Sequence, residues 1–258
     1  MDKHIVLKKA GAVLFWLIVW QGAALLFPDS IVFVGPVDML ASLAEQIRST
    51  EFWLSLGNSM GKIMGGFLSA FLAGILLAFC SFRFEWLKIL LEPVVLLQKS
   101  VPVASFVVLL LILIGSRNLS IAIVFLTGFP ILYTNMSEGL AHVDRSMLEM
   151  AEVFHMSTAR KLLYIYRPAF LPFLASGSKI ALGMSWKSGV AAEIIGVPAH
   201  SIGERLYMAK IYLNTESLFA WTLVIILLST LFEKLFLWIL KKAGGKAWEE
   251  PRDHKKSV

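Results

Sequence analysis

Apolar residues along this chain gather into long runs separated by short polar segments. Six runs predict membrane-spanning helices, at about 10–27, 61–82, 94–114, 119–135, 173–195 and 218–240. Each is near the twenty or so residues a helix needs to cross a hydrocarbon core. The third is the least regular, because Glu92-Pro93, Gln98-Lys99 and Pro102 interrupt it. That pattern predicts a lead-in helix followed by a short span from about Val101 to Ile114. Gly128 and Pro130 predict a kink near one end of the fourth. Pro28-Asp29 closes the first run. The polar segment after it, Asp29 to Glu51, holds a Gly35-Pro36 turn signal and an amphipathic stretch through Met39, Leu40, Leu43 and Ile47.

One polar interruption is much longer than a connection between spans requires: Asp144 to Pro172. Met147, Met150, Ala151 and Phe154 recur there at i, i+3, i+4 and i+7, with Arg145, Glu149 and Glu152 on the other side, which predicts a first amphipathic helix. Ala159, Leu162, Leu163 and Tyr166 repeat the spacing against Arg160, Tyr164 and Arg167, with Ser157 or Thr158 as cap. Pro168 disfavours helical geometry at Arg167, so the second helix is expected to end there, and His155-Met156-Ser157 marks the break between the two. The result is a bent helical pair. From pattern alone it is either a surface for a partner protein or a pair of helices lying on lipid headgroups.

A resemblance separates these readings. Glu149-Met150-Ala151, three residues, His155, nine residues, Ile165, one residue and Arg167-Pro168 resemble the EAA loop of the permease subunits of ABC importers. That loop has Glu-Ala-Ala, Gly and Ile-x-Leu-Pro at those spacings. The chain departs from it at Met150 for Ala, His155 for Gly and Arg167 for Leu. The glycine permits a tight turn, and His155 reaches a left-handed conformation more readily than most residues. The resemblance covers roughly 57–240 and is nearest to the nitrate, sulfonate and taurine group, through Lys99-Ser-Val-Pro102, Phe129-Pro-Ile-Leu132, Leu182-Gly-Met-Ser-Trp186 and Ala192-Glu193. It implies that Glu149, Ala151, Phe154, His155, Ile165 and Pro168 belong to a cytoplasmic coupling helix seated in a separate ATPase. Glu149 would satisfy the first helix start or a basic group of that partner.

Composition narrows the class. With 57% hydrophobic residues and a mean hydropathy of +0.73, no large water-soluble domain fits. The excess of +6 charges resides in lysines and arginines that flank spans, so membrane lipid rather than nucleic acid is the expected partner. With both termini inside, the inner segments hold Lys3, Lys8, Lys9, Arg83, Lys88, Arg145, Arg160, Lys161, Arg167 and the six basic residues of the polar tail 241–258. The outer ones hold Arg48, Arg117, Arg205 and Lys210, fifteen against four. Residues 144–172 are therefore expected in the cytoplasm of a bacterial cell. Residues 10–27 lack a small-x-small cleavage site and are expected as a retained span.

Several chemistries lack their residues. Cys80 is the single cysteine, so no intrachain disulfide forms. The five histidines fall outside the spans without carboxylates at ligand spacing, and no metal site is expected. Gly57-Asn-Ser-Met-Gly61-Lys62-Ile63 falls short of a phosphate-binding loop, so no cofactor is expected on this chain and ATP belongs to another. Gly57, Gly61, Gly65, Ser69 and Ala73 form a small-residue stripe suited to close helix packing, within the chain or across a dimer seam.

In the fifth span Lys179, Trp186 and Glu193 lie seven apart, with Lys187 beside Trp186. Lys187 falls near the bilayer centre and should face water or a carboxylate, with Glu193, Glu92 or the remoter Glu233 as partners. Trp186, Lys187 and Glu193 are the candidate lining of a translocation path, and a buried ion pair is the alternative.

The expectation is an all-α, polytopic permease of about six transmembrane helices with the type I ABC importer fold, a single domain over 1–258. The resemblance implies ATPase subunits, an extracytoplasmic solute-binding protein received by 28–55 and 197–217, and a second permease subunit in a homodimer. It further implies a small solute, with anions such as nitrate, sulfonate or taurine the nearest examples and a vitamin or vitamin precursor the alternative. A secondary transporter would need more coupling carboxylates than Glu193 and an internal repeat.

Overall fold

The computed structural model describes residues 3–26 and 33–244, all helix and connecting turns with no strand among them. Helices α1 (Lys3–Leu26), α2 (Pro36–Gln46) and α3 (Thr50–Arg83) come first. A broken pair follows, α4 (Glu85–Ser100) and α5 (Val103–Ile114), then α6 (Leu119–Ala141). Two short helices, α7 (Arg145–Val153) and α8 (Thr158–Lys161), and a π-helical turn (Leu162–Tyr166) lead into α9 (Arg167–Gly196), α10 (Ile202–Ile211) and α11 (Thr215–Gly244). The expected closure of the first run at Pro28-Asp29 and the tail beyond Gly244 lie outside the described residues.

By length and composition α3, α6 and α11 can cross a membrane, and α4 with α5, bent by 105°, adds a fourth as one broken span. The apolar part of α1, Ala10–Leu26, is shorter. At 30 residues α9 is about 45 Å long, but it carries Lys179, Lys187 and Glu193. It packs inside the bundle, so its composition answers to protein neighbours more than to lipid.

The expected boundaries shift in informative ways. The second span begins eleven residues before 61, because Ser49 caps α3 by accepting from the Phe52 N–H at 3.2 Å. The fourth continues past 135 to Ala141. The fifth begins well before 173, since α9 runs through Pro168 and Pro172.

The core is α6 with α3 and α9 against it, and Ile63, Phe67, Leu132, Met136, Leu182 and Trp186 are buried between them. Glycine sets how close α3 comes. A Cβ on Gly66 would lie 2.7 Å from the Ile121 carbonyl oxygen and one on Gly74 2.9 Å from Leu132 Cβ. The stripe singled out in the sequence is a different one: at Gly57, Gly61 and Gly65 a Cβ would meet open space. Packing within the chain therefore uses Gly66, Ala70 and Gly74, one position round the helix, and leaves the Gly57–Gly65 face uncovered.

Candidate functional site

The 144–166 segment is built on a chain reversal at His155. Asp144 starts α7, its carboxylate accepting from the Ser146 N–H at 2.9 Å. At the other end the N–H of His155 donates to Glu152 O at 2.9 Å and that of Met156 to Ala151 O at 2.8 Å. These paired bonds are the Schellman closure, which needs a left-handed residue at its corner. His155 supplies it at φ 49°, so the position where the motif has glycine keeps the glycine conformation. Glu152 pairs with Lys161 at 3.8 Å across the elbow.

The second arm departs from expectation. It does not end at Arg167 but passes through the π turn into α9, with the Arg167 N–H bonded to Leu162 O. In an α-helix the Pro168 ring would strike the carbonyl four residues back, and a wider turn gives that ring room. The register changes with it. Ile165 turns inward, and Tyr166 meets the Phe82 ring at 5.8 Å. Leu162, Leu163 and Tyr164 are left exposed. Arg167 Nη2 donates to Ala243 O at 2.6 Å, a cation at the carbonyl end of α11 that ties the elbow to the last helix.

The predicted coupling residues thus divide. Ala151 (0% exposed) and Ile165 are buried, whereas Phe154 (73%), Val153 (76%), Met150 and Met147 are exposed. Glu149 and His155 are exposed beside them, and Pro168 is exposed at the start of α9. Glu149 does not cap α7; Asp144 does. An Asp just ahead of an apolar-periodic run was the available signal.

The opposite end of the bundle carries a second constellation, largely invisible in the sequence. The Glu193 carboxylate is fully buried, with Oε2 accepting from Ser59 Oγ at 2.6 Å and from the Gly203 N–H at 3.3 Å. Ser59 Oγ in turn accepts from the Ile202 N–H at 2.8 Å. Around this centre Arg205 reaches Glu51 at 2.7 Å and Ser55 Oγ at 3.2 Å, and Asn58 Nδ2 donates to His200 O at 3.2 Å. The turn between α9 and α10 holds Val197 and His200 at φ 45° and 52°. Left-handed backbone is costly for a β-branched residue and persists only where neighbours fix it. Together these contacts clamp α10 onto α3.

The three residues expected to line one path are not together. Trp186 faces the core, 6.5 Å from the Phe232 ring, and Glu193 belongs to the clamp. Lys187 alone is exposed, on a face with Ile180, Met184 and Ala191. None of its expected partners reaches it: Glu233 pairs with Lys179 at 3.9 Å and Glu92 sits on α4. The helical step explains this, because 186 and 187 point about 100° apart.

Comparison with known proteins bears on what this architecture serves. Residues 70–244 match the family model described as binding-protein-dependent transport system inner membrane component. A probable ABC transporter permease protein of Brucella melitensis is 25% identical over 207 residues, 80% of this chain and 84% of the relative. The taurine transport system permease protein TauC of Escherichia coli K12 is 26% identical over 86% of this chain and 83% of its own length. For the putative aliphatic sulfonates transport permease protein SsuC of Bacillus subtilis the figures are 24%, 72% and 67%.

Proposed function

Since the chain belongs to the binding-protein-dependent transport inner membrane component family, it is the non-enzymatic permease subunit of an ABC importer, and we propose that a separate ATPase drives it through the elbow at 144–166. The observation that carries this reading is the cluster of Met150, Val153, Phe154 and Tyr164, large and exposed around a reversal fixed by His155. An apolar patch of this kind marks a protein contact. Glu149 and Arg160 supply charge at its rim, and ATP binds on the partner.

The protein is a multi-pass inner membrane protein, and its permease family works with an ATPase and a solute-binding protein. In our reading the elbow and both chain ends face the cytoplasm, and the α2 and α10 end receives the solute-binding protein. Lysines and arginines at the span ends meet lipid headgroups. A second copy packs on the uncovered Gly57, Gly61 and Gly65 face. Lys187, exposed near mid-depth where a charge against lipid costs at least a few kcal/mol, then lies on a water-filled path between the copies and favours an anionic solute. The taurine and sulfonate names of the relatives support a small sulfonate.

The test is co-purification followed by transport. The permease, carrying an affinity tag, should bring down an ATPase from membranes, and proteoliposomes of the complex with its binding protein should take up a sulfonate only with ATP. Uptake by the permease alone, or driven by an ion gradient, would end the proposal.

A further inference from the structure

Helix α4 is amphipathic in the inverted sense. Trp86, Ile89, Leu90, Val94 and Leu97 make its outer face and are exposed, whereas Lys88, Glu92, Val95 and Lys99 point toward α3 and α6. In a chain that spans a membrane, that arrangement puts the apolar side on lipid and the charges on an interior space. The space is a cavity of about 460 Å³ between α4 and the near ends of α3 and α6, within the size range of small-molecule sites.

Its lining is unusual in charge. Lys88, Glu92 and Lys99 of α4 face Glu138 of α6, and no two of these four form an ion pair among the described residues. Lys99 Nζ instead donates to Thr134 Oγ1 at 2.8 Å, and that hydroxyl in turn donates a hydrogen bond to Pro130 O at 2.7 Å. Ser137 Oγ lines the same cavity, buried and without a partner. Two ammonium groups and two carboxylates, held apart, do not suit a plain anion, because Glu92 and Glu138 repel what Lys88 and Lys99 attract. A ligand with both charges satisfies both pairs, with a hydroxyl donor to spare for its oxyanion.

We propose that this cavity binds a small zwitterion, one ammonium joined by a short linker to a sulfonate, phosphate or carboxylate. The same chemistry comes from a solute in transit or from an aminoethyl phosphate lipid headgroup. Reading the ligand as cargo rests on the permease function above, whereas the binding itself does not.

The experiment uses the full transporter complex in nanodiscs of phosphatidylglycerol alone and measures binding of 2-aminoethanesulfonate, ethanesulfonate and ethylammonium. The zwitterion should bind about tenfold or more tighter than either single-charge probe. Glu138→Gln should erase its advantage over ethanesulfonate, and Lys99→Met should weaken both sulfonates, while Lys179→Met, outside the cavity, changes neither. Adding phosphatidylethanolamine separates the sources. Competition with 2-aminoethanesulfonate that is lost in Glu138→Gln assigns the site to the headgroup, and its absence assigns it to the solute. Equal affinity for 2-aminoethanesulfonate and ethanesulfonate, or a preference untouched by Glu138→Gln in folded complex, overturns the site. Binding with that preference but no ATP-driven uptake of 2-aminoethanesulfonate keeps the site and removes the ligand as cargo.

Discussion

Gly203 lies so close to Glu193 that a methyl group on it would overlap the Glu193 backbone and Cβ. The contact joins the first turn of α10 to the last turns of α9, and it lets the Gly203 N–H reach the buried carboxylate. Gly203→Ala should therefore separate the two helices. We expect a loss of at least ~2 kcal/mol, the scale of overpacking combined with a broken buried hydrogen bond. Thermal unfolding of the purified protein in detergent measures it, and an unchanged midpoint would show that α10 is not fixed there.

Glu193→Gln probes the same clamp more gently. The amide retains an acceptor for Ser59 Oγ but replaces one carboxyl oxygen with an NH2 group, disturbing a bond of 2.6 Å, so a cost of about 1 kcal/mol is expected. Glu193→Ala should cost more, since Ser59 and the Gly203 N–H would both be left buried without an acceptor. A larger effect from Gln than from Ala, in the same melting assay, would contradict the hydrogen-bond account.

At the elbow, the left-handed corner predicts an ordering of substitutions. His155→Gly should be tolerated or slightly stabilising, because glycine adopts φ 49° without a Cβ penalty. His155→Val should cost ~1–2 kcal/mol locally and swing Phe154 and Val153 away from their positions. Its readout is retention of the ATPase on affinity-purified permease, together with ATP hydrolysis coupled to uptake. Equal retention by the Gly and Val variants would show that the angle at His155 does not matter.

The small residues of α3 allow a paired comparison. Gly66→Ala should lower the folded yield sharply, since the new Cβ would press on the backbone of α6 at the Ile121 oxygen. Gly61→Ala has open space around it and removes a flexible residue from a helix, worth roughly 0.5–1 kcal/mol in favour of folding. Gly61→Leu then asks whether that open face is a seam between copies. If it is, the fold should survive while size-exclusion chromatography of the permease shows a monomer, and a dimer that persists would move the seam elsewhere.

How much of this was legible beforehand depended on periodicity. Runs of apolar residues placed the long helices, and the spacing of Met147, Met150, Ala151 and Phe154 found α7 and its reversal at His155. Caps act on neighbours in the chain, yet Ser49, Asp144 and Ser201 were not singled out, and Ser157, which was, stands at the start of α8 without a side-chain cap bond. The path through Pro168 was misread, since a π turn leaves no pattern in side-chain type and the proline rule alone predicts a stop. The clamp was hidden for another reason. Ser59, Glu193 and Gly203 meet across distant parts of the sequence, and a serine or glycine in an apolar helix carries no mark of its partner. The face of α3 that packs was likewise missed because Gly61 and Gly66 differ only in what the fold sets against them.

Lys187 is the sharpest remaining test. It stands on the uncovered face of α9 with Ile180, Met184 and Ala191, without a hydrogen bond or ion pair among the described residues. If that face met lipid, its charge would cost at least a few kcal/mol, and Lys187→Met would stabilise the protein and leave transport alone. If it lines a wet path between two copies, Lys187→Met should leave the melting midpoint nearly unchanged and lower sulfonate uptake about tenfold, the loss of one charge-assisted contact with the solute. Lys187→Arg should retain most of the uptake. Lys179→Met is the matched control, because that lysine, about two turns earlier on α9, is already paired with Glu233 at 3.9 Å. Uptake rates normalised to protein in the membrane decide the matter, and full activity in Lys187→Met would take this side chain out of the path.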